Sequence, residues 1–387
     1  MIIPVAFPNF MLGPKISRRN LAESVLKGIS FASKPFQRKI PPTPKSIFIL
    51  RNNGLGDLLC ATPLFEMLKR RYPDAEIVVG IGSWHEQLLE NNPHLSSCVA
   101  INAPWHNQFV IAPNLLKILT YVLFSSESRA LSAMKHDIGF DVVGSIWGSM
   151  LLLRCGIPLR IGVKGYAGGH SATQKHITYD NDEHVAKACI KMGELLGISD
   201  KTSMRPQIYL SEEETCFAEK FWEEPVNRSR IVIAPGGSFE EKRWGDQRFA
   251  ELANMILKRT NHQICVIGGQ EDQNRLPKAR FYGFESRIKN LCGKLSLRES
   301  AAVVSSSDYV ISNSSLPMHL AGAFRIPSMT LLGEWYDSAK LHYKQWGYPE
   351  GLVLGKETSN GIHNTSKPEN AFESFEKHTL ESLRIRL

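Results

Sequence analysis

Apolar runs alternate with amphipathic stretches along the chain, and the first such unit is the most regular. An apolar run at residues 47–50 ends in a glycine-containing turn at residues 52–56. Apolar side chains then recur at helical spacing between Leu58 and Leu68, and a second apolar run follows at residues 77–81. A strand, turn, helix and strand in this order predict a crossover between parallel strands, with functional groups at the strands' carboxyl ends.

The same plan restarts in the second half of the chain. Four further apolar runs predict strands, at residues 231–234, 263–267, 309–311 and 328–332. Each ends in a turn that contains glycine or serine. We therefore predict an α/β protein with two Rossmann-like domains, whose parallel sheets face a central cleft. The predicted divisions are a basic extension at residues 1–45, a first domain at 46–225, and a second domain at 226–387 that includes a C-terminal helix.

A long insert separates two strands of the first half. We predict it to be irregular between residues 102 and 137, with aromatic and apolar character at Trp105, His106 and residues 115–124. Two interpretations of the apolar run remain open: a buried helix, or a contact with an acceptor or a membrane.

Asp57 is the single acid at the first glycine turn. One interpretation is a helix N-cap, for which Asp is favoured, and the other is a functional carboxylate at the strand end. Gly54 and Gly56 predict positive φ angles and a close approach of the backbone to a bound molecule. Because the turn lacks the G-x-G-x-x-G spacing, it offers little support for dinucleotide binding.

Composition and charge narrow the class of protein. With 387 residues, of which 43% are hydrophobic and 22% charged, the chain fits a soluble globular protein of two or three domains. The formal net charge is +8, and residues 1–45 carry eight basic residues and one acid. Since the rest of the chain is close to neutral, nucleic acid is not expected as a partner.

The basic extension has two possible roles. Residues 16–38 predict a basic helix with apolar side chains on one side, which would lie on an anionic membrane surface; the alternative is a loosely docked or disordered tail. No apolar run approaches the roughly 18–20 residues that span a bilayer. Seven cysteines without a C-x-x-C pair indicate neither a disulfide framework nor a zinc site. We predict a cytoplasmic protein, with peripheral contact at the inner membrane as one alternative.

The turns of the second half offer groups that fit a nucleotide diphosphate. Ser314 and Ser315 precede a helix start, where backbone N–H groups bind anions. Lys242 or Arg243 would add a cation, and Glu271 a carboxylate for ribose hydroxyls. Taken singly, each residue also fits an ordinary structural role. No metal-ligand spacing is present, so we predict no metal.

Four stretches of the chain, in the same order, resemble the ADP-heptose:lipopolysaccharide heptosyltransferases, which are family-9 glycosyltransferases of GT-B architecture. They read ILRNNGLGDLLCATPLFEMLKRRYPDAEI, FDVVGSIWGSMLLLRCGIPLRIG, IVIAPGGSFEEKRWGDQRFAELA and NLCGKLSLRESAAVVSSSDYVISNSSLPMHLAGAFRIPSMTLLG. The resemblance covers roughly residues 46 to 335 and leaves the basic extension outside.

The resemblance implies an inverting sugar transfer without metal or cofactor, from a nucleotide-sugar bound by the second domain to a glycolipid acceptor bound by the first. It implies Asp57 as the general base and Lys242 as the cation that neutralises the departing diphosphate. Glu271 would hold the ribose. The resulting donor-binding set is Gly54, Gly56, Gly236, Ser238, Lys242, Glu271, Asn313, Ser314, Ser315, Leu316 and His319. For His319, a packing role is favoured over a ligand role.

One motif departs from the family. The family's N-D-S-G-P-M-H-L is here N-S-S-L-P-M-H-L, so Ser314 replaces an Asp that contacts the donor sugar. Leu316 replaces a Gly that lets the backbone approach the diphosphate. The alternatives are therefore a different nucleotide-sugar donor, or a non-catalytic binding homologue in envelope assembly. Because Asp57 and Lys242 are retained, an active enzyme is favoured.

Overall fold

The computed structural model describes residues 15–34, 38–105, 114–199, 201–222, 228–277, 281–356 and 367–386. The apolar start at residues 1–12 and His106 lie outside these ranges. The chain divides into two compact units, residues 1–204 and 205–387.

The first unit is a six-stranded parallel sheet with helices. Its strands are β1 (Ser46–Leu50), β2 (Glu76–Ile81), β3 (Ser97–Ala100), β4 (Ile138–Asp141), β5 (Leu159–Lys164) and β6 (Lys175–Thr178), in the spatial order β3-β2-β1-β4-β5-β6. Its helices are α1 (Lys15–Ala32), α2 (Leu55–Arg71), α3 (Leu115–Phe124), α4 (Ser126–Met134), α5 (Ile146–Arg154) and α6 (Val185–Glu194).

The second unit repeats the arrangement. Its strands are β7 (Arg230–Ala234), β8 (Gln263–Val266), β9 (Ile288–Asn290), β10 (Tyr309–Ser312), β11 (Ser328–Leu331) and β12 (Gly351–Leu354), in the order β12-β11-β10-β7-β8-β9 and again parallel. Its helices are α7 (Glu212–Phe221), α8 (Asp246–Arg259), α9 (Leu297–Ser305), α10 (Leu316–Phe324), α11 (Ala339–Trp346) and α12 (Pro368–Arg386).

Both sheets have the doubly wound strand order, which confirms the predicted α/β class and its two Rossmann-like units. Central strands such as β4 and β10 are buried throughout, as expected where helices cover both faces of a parallel sheet. In each unit the strand order reverses between two neighbours, β1 with β4 and β7 with β10. The carboxyl ends of these pairs are the positions at which such sheets bind ligands.

The insert of the first unit is more regular than predicted. It contains α3 and α4, so the predicted irregular structure is wrong for residues 115–134. The apolar run of α3 buries Ile118 and Val122 in the core and leaves Leu116 and Phe124 exposed. Trp105 is buried against the ring of Tyr121. This helix is neither wholly buried nor wholly exposed, because one of its faces packs on the core and the other is exposed to solvent.

The second unit begins ahead of the predicted boundary at residue 225. Helix α7 packs on α9, and the indole Nε1 of Trp222 donates to Ser306 Oγ at 3.0 Å. At the other end of the chain, α12 packs on α8 and buries Phe372 and Phe375. Of the helices that the structure describes, none combines the length and the apolar character needed to cross a bilayer.

Candidate active site

The first glycine turn connects the end of β1 to the start of α2. Gly54 is the N-cap of α2 and Asp57 is its third residue, so the interpretation of Asp57 as an N-cap is wrong. No side chain caps this helix end. The side chain of Asp57 is 29% exposed, which leaves its carboxylate accessible to a substrate hydroxyl. The positive end of the helix dipole also stabilises a carboxylate at this position.

Arg51 fixes the position of Asp57 through its guanidinium group. This buried arginine follows β1 directly, and its Nη2 lies 3.2 Å from Asp57 Oδ1. Its Nε donates to the Asp57 carbonyl at 3.2 Å, and its Nη1 donates to the Val142 carbonyl at 3.1 Å. One guanidinium thus ties the carboxylate of α2 to the chain that follows β4. The sequence analysis missed Arg51, although a basic residue directly after a buried strand is a usable signal.

Gly54 is required here for space rather than for its backbone conformation. Its φ is −70° and Gly56 lies within the first turn of α2, so the predicted positive φ angles are wrong. A Cβ at residue 54 would lie 2.6 Å from Asp57 Oδ2. The absence of a side chain therefore lets the Asp57 carboxylate fold back over the turn.

Two further groups shape the surroundings of Asp57. Asp141, at the end of β4, is fully buried and accepts from the N–H groups of Gly144 and Ser145 at 3.1 and 2.9 Å. Burial raises the pKa of Asp141 to about 7. Burial and then the charge of Asp57 raise the pKa of Tyr166 to about 12, which keeps its hydroxyl protonated. The sequence analysis did not identify either residue as part of the site.

Asn313 organises the corresponding strand ends of the second unit. Its buried side chain donates through Nδ2 to the carbonyls of Pro235 and Gly236 at 2.7 and 3.1 Å. Its Oδ1 accepts from the backbone N–H of Trp244 at 2.8 Å. Asn313 thereby joins β10 to the turn after β7 and to the loop that carries Lys242. These bonds give Asn313 a positioning role.

The loop of Lys242 is held by backbone contacts. Lys242 ends a short 3₁₀ turn, Glu240–Lys242, and its carbonyl accepts from the N–H of Gly333 at 3.3 Å. Any Cβ on Gly333 would collide with the backbone of this loop. The Lys242 ammonium lies 4.9 Å from the centre of the Phe239 ring, within cation–π range. The base of this lysine is therefore fixed by the end of β11.

Ser314 forms a pair that the sequence analysis did not anticipate. Its Oγ lies 2.7 Å from His342 Nε2 on α11. His342 is buried, and burial together with the charge of Lys242 lowers its pKa to about 3, so the imidazole is neutral. A neutral Ser–His pair therefore lies directly before the start of α10. Ser315 is the N-cap of α10 without a capping hydrogen bond, and Leu316 is the first residue of that helix.

The remaining predicted residues differ in their surroundings. His319 is buried, with Nδ1 2.7 Å from the hydroxyl of Tyr348, as expected for a packing residue. Ser238 and Glu271 are exposed on the loops after β7 and β8. Close to Glu271, the buried carboxylate of Asp272 accepts from the Gly269 N–H at 3.0 Å.

Asp272 explains the glycine at position 236. A Cβ on Gly236 would collide with the Asp272 carboxylate, and one on Gly268 would lie 2.7 Å from it. The same carboxylate pairs with Arg275. Gly236 thus makes room for a buried acid that lies between the turns after β7 and β8, and sequence reasoning did not find this acid.

Comparison with solved structures identifies the fold. A glycosyltransferase family 9 protein from Veillonella parvula superposes with a TM-score of 0.70 at 21% identity, covering 89% of this chain and 99% of that one. The ADP-heptose lps heptosyltransferase II of E. coli gives a TM-score of 0.65 at 20% identity, covering 87% and 99%. The fold is GT-B, as predicted.

Sequence comparison defines the family. The family model for glycosyltransferase family 9 (heptosyltransferase) matches residues 125–347, more than half of the chain. The chain belongs to this family and is a glycosyltransferase. Lipopolysaccharide heptosyltransferase 3 of Escherichia coli (strain K12) is 24% identical over 292 residues, which cover 72% of this chain and 79% of that protein.

Proposed function

We propose that the protein transfers a heptose from ADP-heptose to a lipopolysaccharide-core or related surface-glycan acceptor, with inversion at the anomeric carbon. The observation that carries the proposal is the Asp57 carboxylate, which is accessible, anchored by Arg51 and accommodated by Gly54. Membership of family 9 and the names of the heptosyltransferase relatives support the sugar and the acceptor.

Asp57 acts as the general base. Its carboxylate takes the proton of the acceptor hydroxyl while that oxygen forms a bond to the anomeric carbon. The bond from this carbon to the diphosphate breaks at the opposite face, and ADP leaves with the electron pair. A carboxylate suits this task because the hydroxyl becomes acidic only as the new bond forms.

Lys242 stabilises the charge that develops on the departing diphosphate. Its backbone is held by Gly333 and its ammonium lies over the Phe239 ring, so the cation is positioned on this loop before the diphosphate departs. We propose that this cation serves in place of a metal and that the nucleotide-sugar is a substrate, with no cofactor. Full activity of enzyme pretreated and assayed with EDTA is expected, and loss of activity restored by a divalent cation would contradict the proposal.

The Ser314–His342 pair favours one alternative, a different nucleotide-sugar donor. A neutral hydroxyl in place of a carboxylate removes charge-assisted hydrogen bonds to sugar hydroxyls. Ser314→Asp tests this point through kcat/KM for ADP-heptose, ADP-glucose and a set of UDP-, GDP- and dTDP-sugars. We expect the variant to change donor preference. Unaltered affinity and selectivity would exclude Ser314 from sugar recognition.

The test of the transfer mechanism separates donor binding from chemistry. Asp57→Asn is expected to retain affinity for ADP-heptose and to lose transfer, because the amide cannot accept the proton. Asp74→Asn, exposed just after the same helix, is the matched control. For the cation, Lys242→Gln is expected to lower kcat, with the exposed Lys258→Gln as its control. An unchanged turnover of Asp57→Asn would exclude the general-base role. Absence of transfer by the wild type would favour the non-catalytic alternative.

We place the enzyme on the cytoplasmic side of the inner membrane, in peripheral contact through residues 1–45. The basic composition of this extension supports the placement.

A further inference from the structure

Exposed apolar side chains are concentrated on two helices of the first unit. Of the fourteen large hydrophobic residues exposed in the described part of the chain, eight lie on α1 and α3. They are between 40% and 72% exposed: Leu21, Val25, Ile29 and Phe31 on α1, and Leu115, Leu116, Leu123 and Phe124 on α3. Concentration of this kind marks an interaction surface, whereas single exposed apolar residues are ordinary.

Both helices are anchored by their opposite faces. On α1, Leu26 is buried, and the buried Ser30 accepts from Arg160 Nη2 at 2.9 Å. On α3, Ile118 and Val122 belong to the core of the first unit. Leu21, Val25 and Ile29 follow one another at intervals of four residues, so they form a single stripe. Because the opposite face of α1 is packed on the first unit, the stripe faces solvent.

The two helices belong to one charged layer. Helix α5 packs against both α1 and α3, and we call the three helices the α1/α3 face. Among the side chains that the structure describes on these helices, three are exposed and basic, Lys27, Lys117 and Arg154, and one is acidic, Glu23. Glu23 lies 3.7 Å from His170. Apolar side chains on helices rich in Lys and Arg are typical of helices that lie in the headgroup region of an anionic bilayer.

We propose that the α1/α3 face binds the surface of an anionic lipid bilayer. The apolar side chains enter the boundary between headgroups and acyl chains, and the basic residues contact lipid phosphates. The surface extends beyond the basic extension at residues 1–45, because α3 begins only at Leu115. A second copy of the chain is disfavoured as the occupant because two such positively charged faces repel each other. The proposed binding to the bilayer does not depend on the proposed transfer reaction. Only its functional advantage, access to a glycolipid acceptor, rests on the proposed function.

The experiment is vesicle co-sedimentation of the full-length chain. The probes are vesicles of phosphatidylethanolamine with phosphatidylglycerol, and neutral vesicles of phosphatidylcholine. We compare Val25→Glu/Ile29→Glu on α1 and Leu116→Glu/Phe124→Glu on α3 with wild type. The matched control is Tyr282→Glu/Leu380→Glu, at positions in the second unit that are 90% and 62% exposed. Since all six positions are exposed, unchanged melting temperatures are expected and verify folding.

We expect wild type to prefer the anionic vesicles and to lose binding as salt is raised. Each pair of substitutions on the face should weaken binding about tenfold or more, because it removes apolar insertion and adds repulsion. The control pair should bind like wild type. Equal binding to neutral vesicles, or wild-type binding by both face variants, would overturn the proposal. The proposal would also be overturned if light scattering showed that the wild type is a dimer and that the face variants are monomers.

Discussion

Gly54→Ala tests whether the position of the Asp57 carboxylate matters. The new Cβ would lie 2.6 Å from Asp57 Oδ2, whereas ordinary contacts of a Cβ begin at 3.4 Å. The oxygen must therefore move by about 0.8 Å. Because the atom displaced is the end of a side chain rather than backbone, the cost in stability is small, about 1 kcal/mol or less for alanine at this N-cap.

The effect on catalysis is expected to be much larger than the effect on folding. A misplacement of about 1 Å in an active site can cost about a hundredfold in rate. We therefore expect kcat for heptose transfer to fall roughly a hundredfold, about 2.7 kcal/mol of transition-state stabilisation at 1.36 kcal/mol per factor of ten. The KM for ADP-heptose should change little, because the proposed donor contacts other than Gly54 and Gly56 lie in the second unit.

The assay is steady-state ADP release with ADP-heptose and heptose-deficient lipopolysaccharide. Gly28→Ala on α1 is the control, because no atom lies within 4 Å of its added Cβ. A Gly54→Ala enzyme that stays folded and retains kcat within about threefold of wild type would refute the positional argument. An equal loss in Gly28→Ala would show that the assay is reporting a general effect of substitution.

Two further predictions concern the second unit, and denaturant unfolding measures both. Because the pKa of His342 is lowered in the folded state, only the unfolded state binds a proton at this residue between pH 6.5 and about pH 3. The free energy of unfolding therefore falls as the pH is lowered through this range, and the stability that the neutral His342 contributes is complete above pH 6.5. His342→Gln should reduce the acid-induced loss by up to about 1.4 kcal/mol per pH unit, and an identical pH dependence would contradict it. Asn313→Ala removes three hydrogen bonds, two of them buried, and should cost about 3 kcal/mol, whereas a cost below about 1 kcal/mol would show that Asn313 does not hold the loop of Lys242.

The regular parts of the fold were predictable because each follows from local pattern. Short apolar runs followed by glycine turns identify strands of a parallel sheet, and Asp57 is conspicuous as the acid at such a turn. The apolar run of α3 is different, since almost all of its residues are apolar. Periodicity could not distinguish its packed face, with Ile118 and Val122, from its exposed face, with Leu116 and Phe124.

The groups that support the site depend on contacts between distant segments. Arg51 bonds to a carbonyl 91 residues away, and Ser314 pairs with His342 on another helix. No spacing in the sequence records such pairs. The glycines were recognised for the wrong reason: Gly54 makes space for the Asp57 carboxylate and does not adopt a positive φ. That distinction requires the path of the neighbouring side chain.

The most direct test of the proposed reaction is the anomeric configuration of the product formed from ADP-heptose, determined by NMR for wild type and Asp57→Asn. A single displacement assisted by Asp57 predicts inverted configuration with wild type and no product with Asp57→Asn. Retained configuration, or the same rate of product formation by the variant, would contradict the mechanism.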